Sequence, residues 1–429
     1  MKMRIVALVA LVALCLLSPS PSLSQTQATQ VPVTFAFPLV CTLNSDCYAA
    51  NYIDHDPSPG LRDYQCGSST YDGHEGFDVL LLNFRIMDRG VPVLAAADGV
   101  VREIRDGLFD RRKRRGAGGL GNYVMIEHSG GIRTYYGHLK KNSIKVRIGE
   151  RVTKGQEIGQ VGSSGDSAEA HLHFEVRDPH GAVIEPFMGP CGNSISWWDE
   201  QPPYDDSFQL LDFGLINFEP TIDRLKDRPA TQTNFVVGRD PRAVFWVQVR
   251  NVKRGDRGRI AFYQPDGVLA WEYSWVHDRF YTHGWWWAWK NIYPQTARGR
   301  WSVKYYMNGR LVVNASFQVL SHTPQAPQIW IPETRFNFGQ VEVGRSRTYR
   351  LIIENIGAKD LNASISSSNP AFKVDPTKVT VPPNRTELVD ITFAPTEEGR
   401  LRGELTITSD DPANRTLKIS LEGFGSAAR

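Results

Sequence analysis

Two imidazoles and a carboxylate alternate with apolar residues along Ala170-His171-Leu172-His173-Phe174-Glu175-Val176. Side chains two apart share a face of a strand, so His171, His173 and Glu175 project from one side and Leu172, Phe174 and Val176 from the other. Two imidazoles at that spacing can converge on a divalent metal, at about 2.0–2.1 Å from each nitrogen. A His-x-His pair is by itself more often a hydrogen-bonded surface pair, so the chemistry depends on partners elsewhere in the chain. Asp72-Gly73-His74-Glu75-Gly76-Phe77-Asp78 supplies an imidazole and a carboxylate four apart, between glycines that let the backbone wrap closely. Tyr135-Tyr136-Gly137-His138-Leu139 supplies another imidazole just after an alternating run.

Taken in order, His-x-x-x-Asp, Gly-His-Leu and His-Leu-His resemble the M23 family of zinc endopeptidases, the lysostaphin or LytM type that cuts peptide bonds in bacterial cell-wall peptidoglycan. The resemblance extends to Val91-Pro92-Val93-Leu94-Ala95-Ala96-Ala97-Asp98-Gly99-Val100, to Gly121-Asn122-Tyr123-Val124 and to the stretch from Gly149 to Gly162. It implies one Zn²⁺ per chain held by His74, Asp78 and His173, with one position open. It leaves His138 and His171 as catalytic imidazoles that are not ligands, and either could be the principal base. Glu175 could accept a hydrogen bond from a ligand imidazole or stand as a solvated strand-end carboxylate. The implied substrate is the cross-link peptide of peptidoglycan. A second class, a non-catalytic LytM-like wall-binding regulator or adhesin, shares the outline, but the presence of all five positions favours the enzyme.

The elements that must position these residues read as β throughout. Val91–Ala96, Val100–Ile104, Tyr123–Glu127, Arg133–Tyr136, Glu157–Val161 and His171–Val176 alternate and are separated by glycine turns, which predicts an antiparallel sheet with no long helix. Arg111-Arg112-Lys113-Arg114-Arg115, followed by glycines, is expected to be a mobile, solvated loop rather than a groove wall. Beyond Gln201-Pro202-Pro203 a second all-β unit is rich in Trp271, Trp275, Trp285, Trp286, Trp287 and Trp289. Alternating tryptophans are expected to be core filler ahead of a sugar-binding surface. After a Pro-punctuated linker, Phe336-Asn337-Phe338-Gly339-Gln340-Val341, Asn355-Ile356-Gly357, Phe393-Ala394-Pro395 and Leu405-Thr406-Ile407-Thr408-Ser409-Asp410-Asp411-Pro412 resemble the Hydin-type immunoglobulin-like domain, which implies a β-sandwich. The expected fold is all-β: an M23-type antiparallel sheet followed by two immunoglobulin-like sandwiches. The expected division is a signal peptide at 1–24, a disulfide-containing segment at 25–69, the peptidase at 70–200, a Trp-rich sandwich at 205–322 and the Hydin-type domain at 333–427. The peptidase portion is expected to cut soluble peptides without the two C-terminal units, whose faces could take a wall or protein partner.

The remaining composition is consistent with export. Lys2 and Arg4 precede an apolar run from Ile5 to Leu17, too short for a spanning helix of about 20 residues, and small residues follow. That reads as a signal peptide and places the mature chain in the periplasm or outside the cell. No later segment reads as transmembrane. Cys41, Cys47, Cys66 and Cys191 then remain, an even number in an exported chain, which argues for disulfides. Three pairings are open; Cys41 with Cys47 and Cys66 with Cys191 is favoured, because the second bond would brace the approach to His74 against the segment after the His171 strand. A formal charge of +3 over 429 residues carries no nucleic-acid footprint.

Overall fold

His173 lies on the third strand of a seven-stranded antiparallel sheet in the computed structural model, which describes residues 32–322, 325–331 and 333–427. The strands of this N-terminal portion are β1 (Cys47–Asn51), β2 (Phe77–Leu81), β3 (Pro92–Leu94), β4 (Gly99–Arg105), β5 (Tyr123–Glu127), β6 (Arg133–Gly137), β7 (Arg151–Val152), β8 (Glu157–Gln160) and β9 (His171–Arg177). The large sheet runs β1-β2-β9-β6-β5-β4-β7, and β3 pairs separately with β8. The expected strands are all present, to within a residue or two at their ends. One six-residue helix, α1 (Phe84–Arg89), was not expected; its signal is Asn83, whose side chain caps the Ile86 amide, and Gly90 at its C-terminus.

Register explains why β9 can carry both a core and a site. Phe174 lies opposite Phe77 on one side and Tyr136 on the other, and Leu172 lies opposite Val79. These side chains enter a core with Val124, Ile126 and Val176. One residue out of phase, His173 lies opposite Asp78 on β2 and Gly137 on β6, which places the polar residues together on the other face. The N-terminal segment is part of this architecture, since β1 forms the sheet edge. Disulfides Cys41–Cys47 and Cys66–Cys191 form as expected.

Two further pairs of sheets follow. The first is built from β10 (Gln209–Ile216), α2 (Ile222–Lys226), β11 (Asn234–Val236), β12 (Arg242–Val252), β13 (Arg257–Tyr263), β14 (Leu269–Val276), β15 (Tyr281–Asn291), β16 (Gly299–Met307) and β17 (Arg310–Leu320). Its sheets, β10-β12-β15 and β11-β17-β16-β13-β14, enclose Phe245, Val247, Phe262, Trp301, Tyr305 and Phe317. Trp246 and Trp285 are buried on the outer face of the three-stranded sheet beside Ile216 and Leu225, whereas Trp271 and Trp289 remain exposed. The last pair, of four and five strands, packs Phe336, Phe338, Leu351, Ile391 and Phe393. Among the described residues no helix is long and apolar enough to cross a membrane. The expected signal peptide and its cleavage point lie outside the described residues.

The basic loop is solvated at Arg114, as its charge led us to expect, but anchored at its start. Arg111 and Lys113 pair with Asp227 beside α2, whereas Arg114 stays 84% exposed although it reaches Asp223 at 3.0 Å. Arg115 lies over the Tyr71 ring at 4.5 Å.

Candidate metal centre and flanking imidazoles

The loop before β2 is fixed at His74 by three backbone or ring hydrogen bonds. Its amide donates to the Tyr71 carbonyl at 3.0 Å, its carbonyl accepts from the Asp54 amide at 2.8 Å, and its Nδ1 meets the Tyr52 carbonyl at 2.7 Å. An acceptor at Nδ1 places the proton there and leaves the Nε2 lone pair facing inward. Nε2 lies 3.2 Å from Asp78 Oδ2 and 3.3 Å from His173 Nδ1, and His173 Nδ1 lies 3.0 Å from Asp78 Oδ1. The donor atoms of His74, Asp78 and His173 all fall within 4.8 Å of one another and could hold a metal ion.

Second contacts orient these groups. His173 Nε2 is 3.2 Å from Glu175 Oε2, so that nitrogen donates outward and Nδ1 faces Asp78. Glu175 in turn pairs with Arg177, which reaches Glu75 at 2.7 Å. The solvated reading of Glu175 is therefore displaced by a structural one. Asn51 donates to Asp78 Oδ2 at 3.0 Å. Gly76 has a steric reason to be glycine: a Cβ there would sit 2.5 Å from His173 Cε1.

His138 and His171 stand beside this trio with ring centroids 4.5 Å apart. His138 follows β6 with a left-handed φ of 59°, which turns the ring from the strand toward the site. Its Nδ1 meets the Ser164 carbonyl at 2.8 Å, and His171 Nδ1 meets the Glu169 carbonyl at 2.8 Å. Both rings therefore present a bare Nε2, and that of His171 lies 3.7 Å from Asp78 Oδ1. All five residues are between 3% and 9% exposed. His128, between the Asp98 carbonyl and the Thr134 hydroxyl, lies outside this group as a structural residue.

The electrostatics fit a cation. Burial by itself would raise the pKa of Asp78, but His74, His171 and His173 outweigh it and hold the carboxyl well below its usual range. Burial would lower His173, yet Asp78 and Glu175 raise it to about 9. A proton and a metal compete for the same Nδ1 lone pair, so the affinity for one measures the site's demand for positive charge. Burial, together with the charges of His171 and His173, pushes His138 well below the ordinary imidazole value, and burial also lowers His171. Both are neutral at neutral pH and can accept a proton.

Two histidines outside this group have partners that sequence reasoning did not find. His283 Nε2 lies 2.8 Å from Glu169 Oε2, and His55 similarly meets Glu185 at 2.7 Å. Neither pairing has a local signal, because each joins residues more than a hundred positions apart.

Parts of the chain match known families. Residues 73–186 match peptidase family M23, and residues 327–423 match the HYDIN/CFA65/VesB-like, Ig-like domain. The chain thus carries an M23 peptidase domain and a HYDIN-like immunoglobulin domain. It is 44% identical over 89 residues to the DD-carboxypeptidase/endopeptidase Mpg of Neisseria meningitidis, covering 21% of this chain and 18% of that protein. It is 41% identical over 86 residues to the peptidoglycan DD-endopeptidase ShyC of Vibrio cholerae, covering 20% and 17%. The matched stretch therefore spans less than a fifth of the length of these relatives. Among solved structures it resembles the catalytic domain of a prophage-encoded M23 protein from Enterococcus faecalis, 26% identical, covering 36% of this chain and 93% of that one with a TM-score of 0.25. The catalytic domain of lysostaphin from Staphylococcus simulans is 23% identical, with coverage of 33% and 90% and a TM-score of 0.22.

Proposed function

We propose that this chain is an exported zinc endopeptidase that hydrolyses cross-link peptides of bacterial peptidoglycan. The observation that carries the reading is one buried group, His74, Asp78 and His173, flanked by two neutral imidazoles whose Nε2 atoms are bare. One zinc ion held by those three residues would supply Lewis acidity toward an amide carbonyl and an attacking water. The chain's own groups do the rest. His138 or His171 accepts the proton of the attacking water at Nε2 and returns it to the leaving amine. The other imidazole, its Nε2 bare as well, accepts a hydrogen bond from the attacking water and orients it. Glu175 holds His173 in the ligating tautomer, and Asn51 orients Asp78.

The organisation that accompanies this reading is a signal peptide at 1–24, a disulfide-containing segment at 25–69, the peptidase at 70–200, the Trp-rich sandwich at 205–322 and the Hydin-type domain at 333–427. The two C-terminal units offer faces for a wall or protein partner. Metal analysis of the mature protein, paired with mass spectrometry of fragments released from isolated peptidoglycan, tests the reading. Release of new amino groups by wild type and not by His171→Ala supports it. Zinc-loaded wild type that releases none from several peptidoglycan chemotypes decides for a non-catalytic wall-binding regulator.

A further inference from the structure

The carbonyl that accepts the His171 Nδ1 proton belongs to Glu169, and it also accepts from the Ser167 hydroxyl at 2.8 Å. The Glu169 side chain leaves the peptidase sheet and ends against the Trp-rich sandwich. Its Oε2 is 2.8 Å from His283 Nε2 on β15, and its Oε1 is 3.3 Å from Lys226 Nζ at the end of α2. Lys226 also donates to the carbonyls of Ala168 at 2.9 Å and Lys113 at 3.0 Å. An ammonium has three N–H donors, and here all three acceptors belong to the peptidase portion, two of them within the turn that precedes His171. Lysine is almost never fully buried unless paired, and Lys226 is only 7% exposed. His283 is held in turn beside the Tyr48 ring of β1, at 5.8 Å.

We propose that Lys226 and His283 are positioning residues for His171. By gripping Glu169 and the Ala168 carbonyl they hold the turn in the one arrangement that presents the Glu169 carbonyl to His171 Nδ1, and so keep Nε2 free of a proton. The Trp-rich sandwich thereby completes a site whose reacting groups all lie in the peptidase portion, against the expectation that this portion suffices alone. The inference rests on the reading of His171 as a proton-transfer group. The pair Arg114 with Asp223, also across the boundary, is exposed.

The test uses full-length, zinc-loaded protein carrying Lys226→Met, His283→Phe or Glu169→Gln, with Lys226→Arg as the conservative variant and Arg114→Gln as the boundary control. The Met and Phe replacements keep the side-chain bulk, and Glu169→Gln is near-isosteric, so a variant that fails to fold leaves another to be read. Turnover is measured on cross-linked peptides. The His171 tautomer is read from ¹⁵N-imidazole NMR, assigned by its absence in His171→Ala. The expected result is a fall in kcat of about 10- to 100-fold in the three disrupting variants, as for other groups that orient reacting side chains. KM and zinc content stay at wild-type levels, the Nδ1–H population of His171 falls, and Lys226→Arg recovers most of the rate. An unchanged kcat and tautomer, or an equal loss in Arg114→Gln, overturns the proposal. If wild type cuts nothing, the peptidase reading fails by itself; the tautomer comparison still decides this one, and an unchanged His171 signal in folded variants refutes it.

Discussion

At the residue scale the proposed site separates into groups that would hold a metal and groups that would move protons. His74→Ala, Asp78→Ala or His173→Ala should abolish metal retention through dialysis, and His138→Ala or His171→Ala should leave it intact; full zinc occupancy in His173→Ala would remove the ligand assignment. The two retained-metal variants should lose about 10²- to 10⁴-fold in kcat, with little change in substrate affinity. Their double mutant should be barely slower than the worse single one, since both act on one transition state. Gly76→Ala offers a subtler probe. The added Cβ would press on the His173 ring and tilt it from Asp78, so metal affinity measured by competition with a chelator should fall by about 10- to 100-fold. Affinity equal to wild type would mean that the loop yields instead of the ring.

At the scale of elements, β9 is buried on both faces, which makes its packing and its chemistry inseparable. Phe174 touches Tyr136, Phe35 and Trp198 with ring centroids 5.4–5.8 Å away. Phe174→Ala should cost about 3–5 kcal/mol by cavity formation, read from denaturant midpoints. The disulfide between Cys66 and Cys191 closes a loop across 125 positions, whereas Cys41–Cys47 closes one across 6. In the chain-entropy model these contribute about 5 and about 2 kcal/mol. Replacing the Cys66/Cys191 pair by serines should therefore lower Tm more than replacing Cys41/Cys47; the reverse order would place the main constraint in the N-terminal segment.

At the scale of the whole molecule, residues of the peptidase portion are tied to both later sandwiches. The Arg85 guanidinium on α1 lies over Trp330 at 4.5 Å and donates to the Ile352 carbonyl at 2.9 Å. Glu169 does the same toward the Trp-rich sandwich, and its titration gives a pH signature. Burial would raise its pKa, but His283 and Lys226 lower it to about 2, below the ordinary 4.5. A depressed acid contributes its stability fully above the unfolded value and loses it as pH falls through the folded one. The stability difference between wild type and Glu169→Gln should thus be constant above about pH 4.5 and shrink as pH falls toward 2. A difference that does not change across that window would mean that Glu169 is not held by charge.

The sequence by itself determined the strands of the N-terminal portion and the alternation that separates the Leu172 face from the His173 face, which follow from a period of two, a local property of the chain. The set His74, Asp78, His138, His171 and His173 was proposed from the family resemblance that the order of the motifs carries. The helix at Phe84–Arg89 had a cap signal but is too short for any periodicity to show. Which Nδ1 meets which carbonyl was decided only in three dimensions, because Tyr52, Ser164 and Glu169 act through their backbones and any residue type could have served. The basic loop shows a related limit: Arg111 and Lys113 read as solvated until Asp227, more than a hundred positions later, was folded against them, while Arg114 keeps its expected exposure. His283 is the clearest case. Its role depends on Glu169 being 2.8 Å away, and a sequence carries no information on the distance between two domains until their packing has set it.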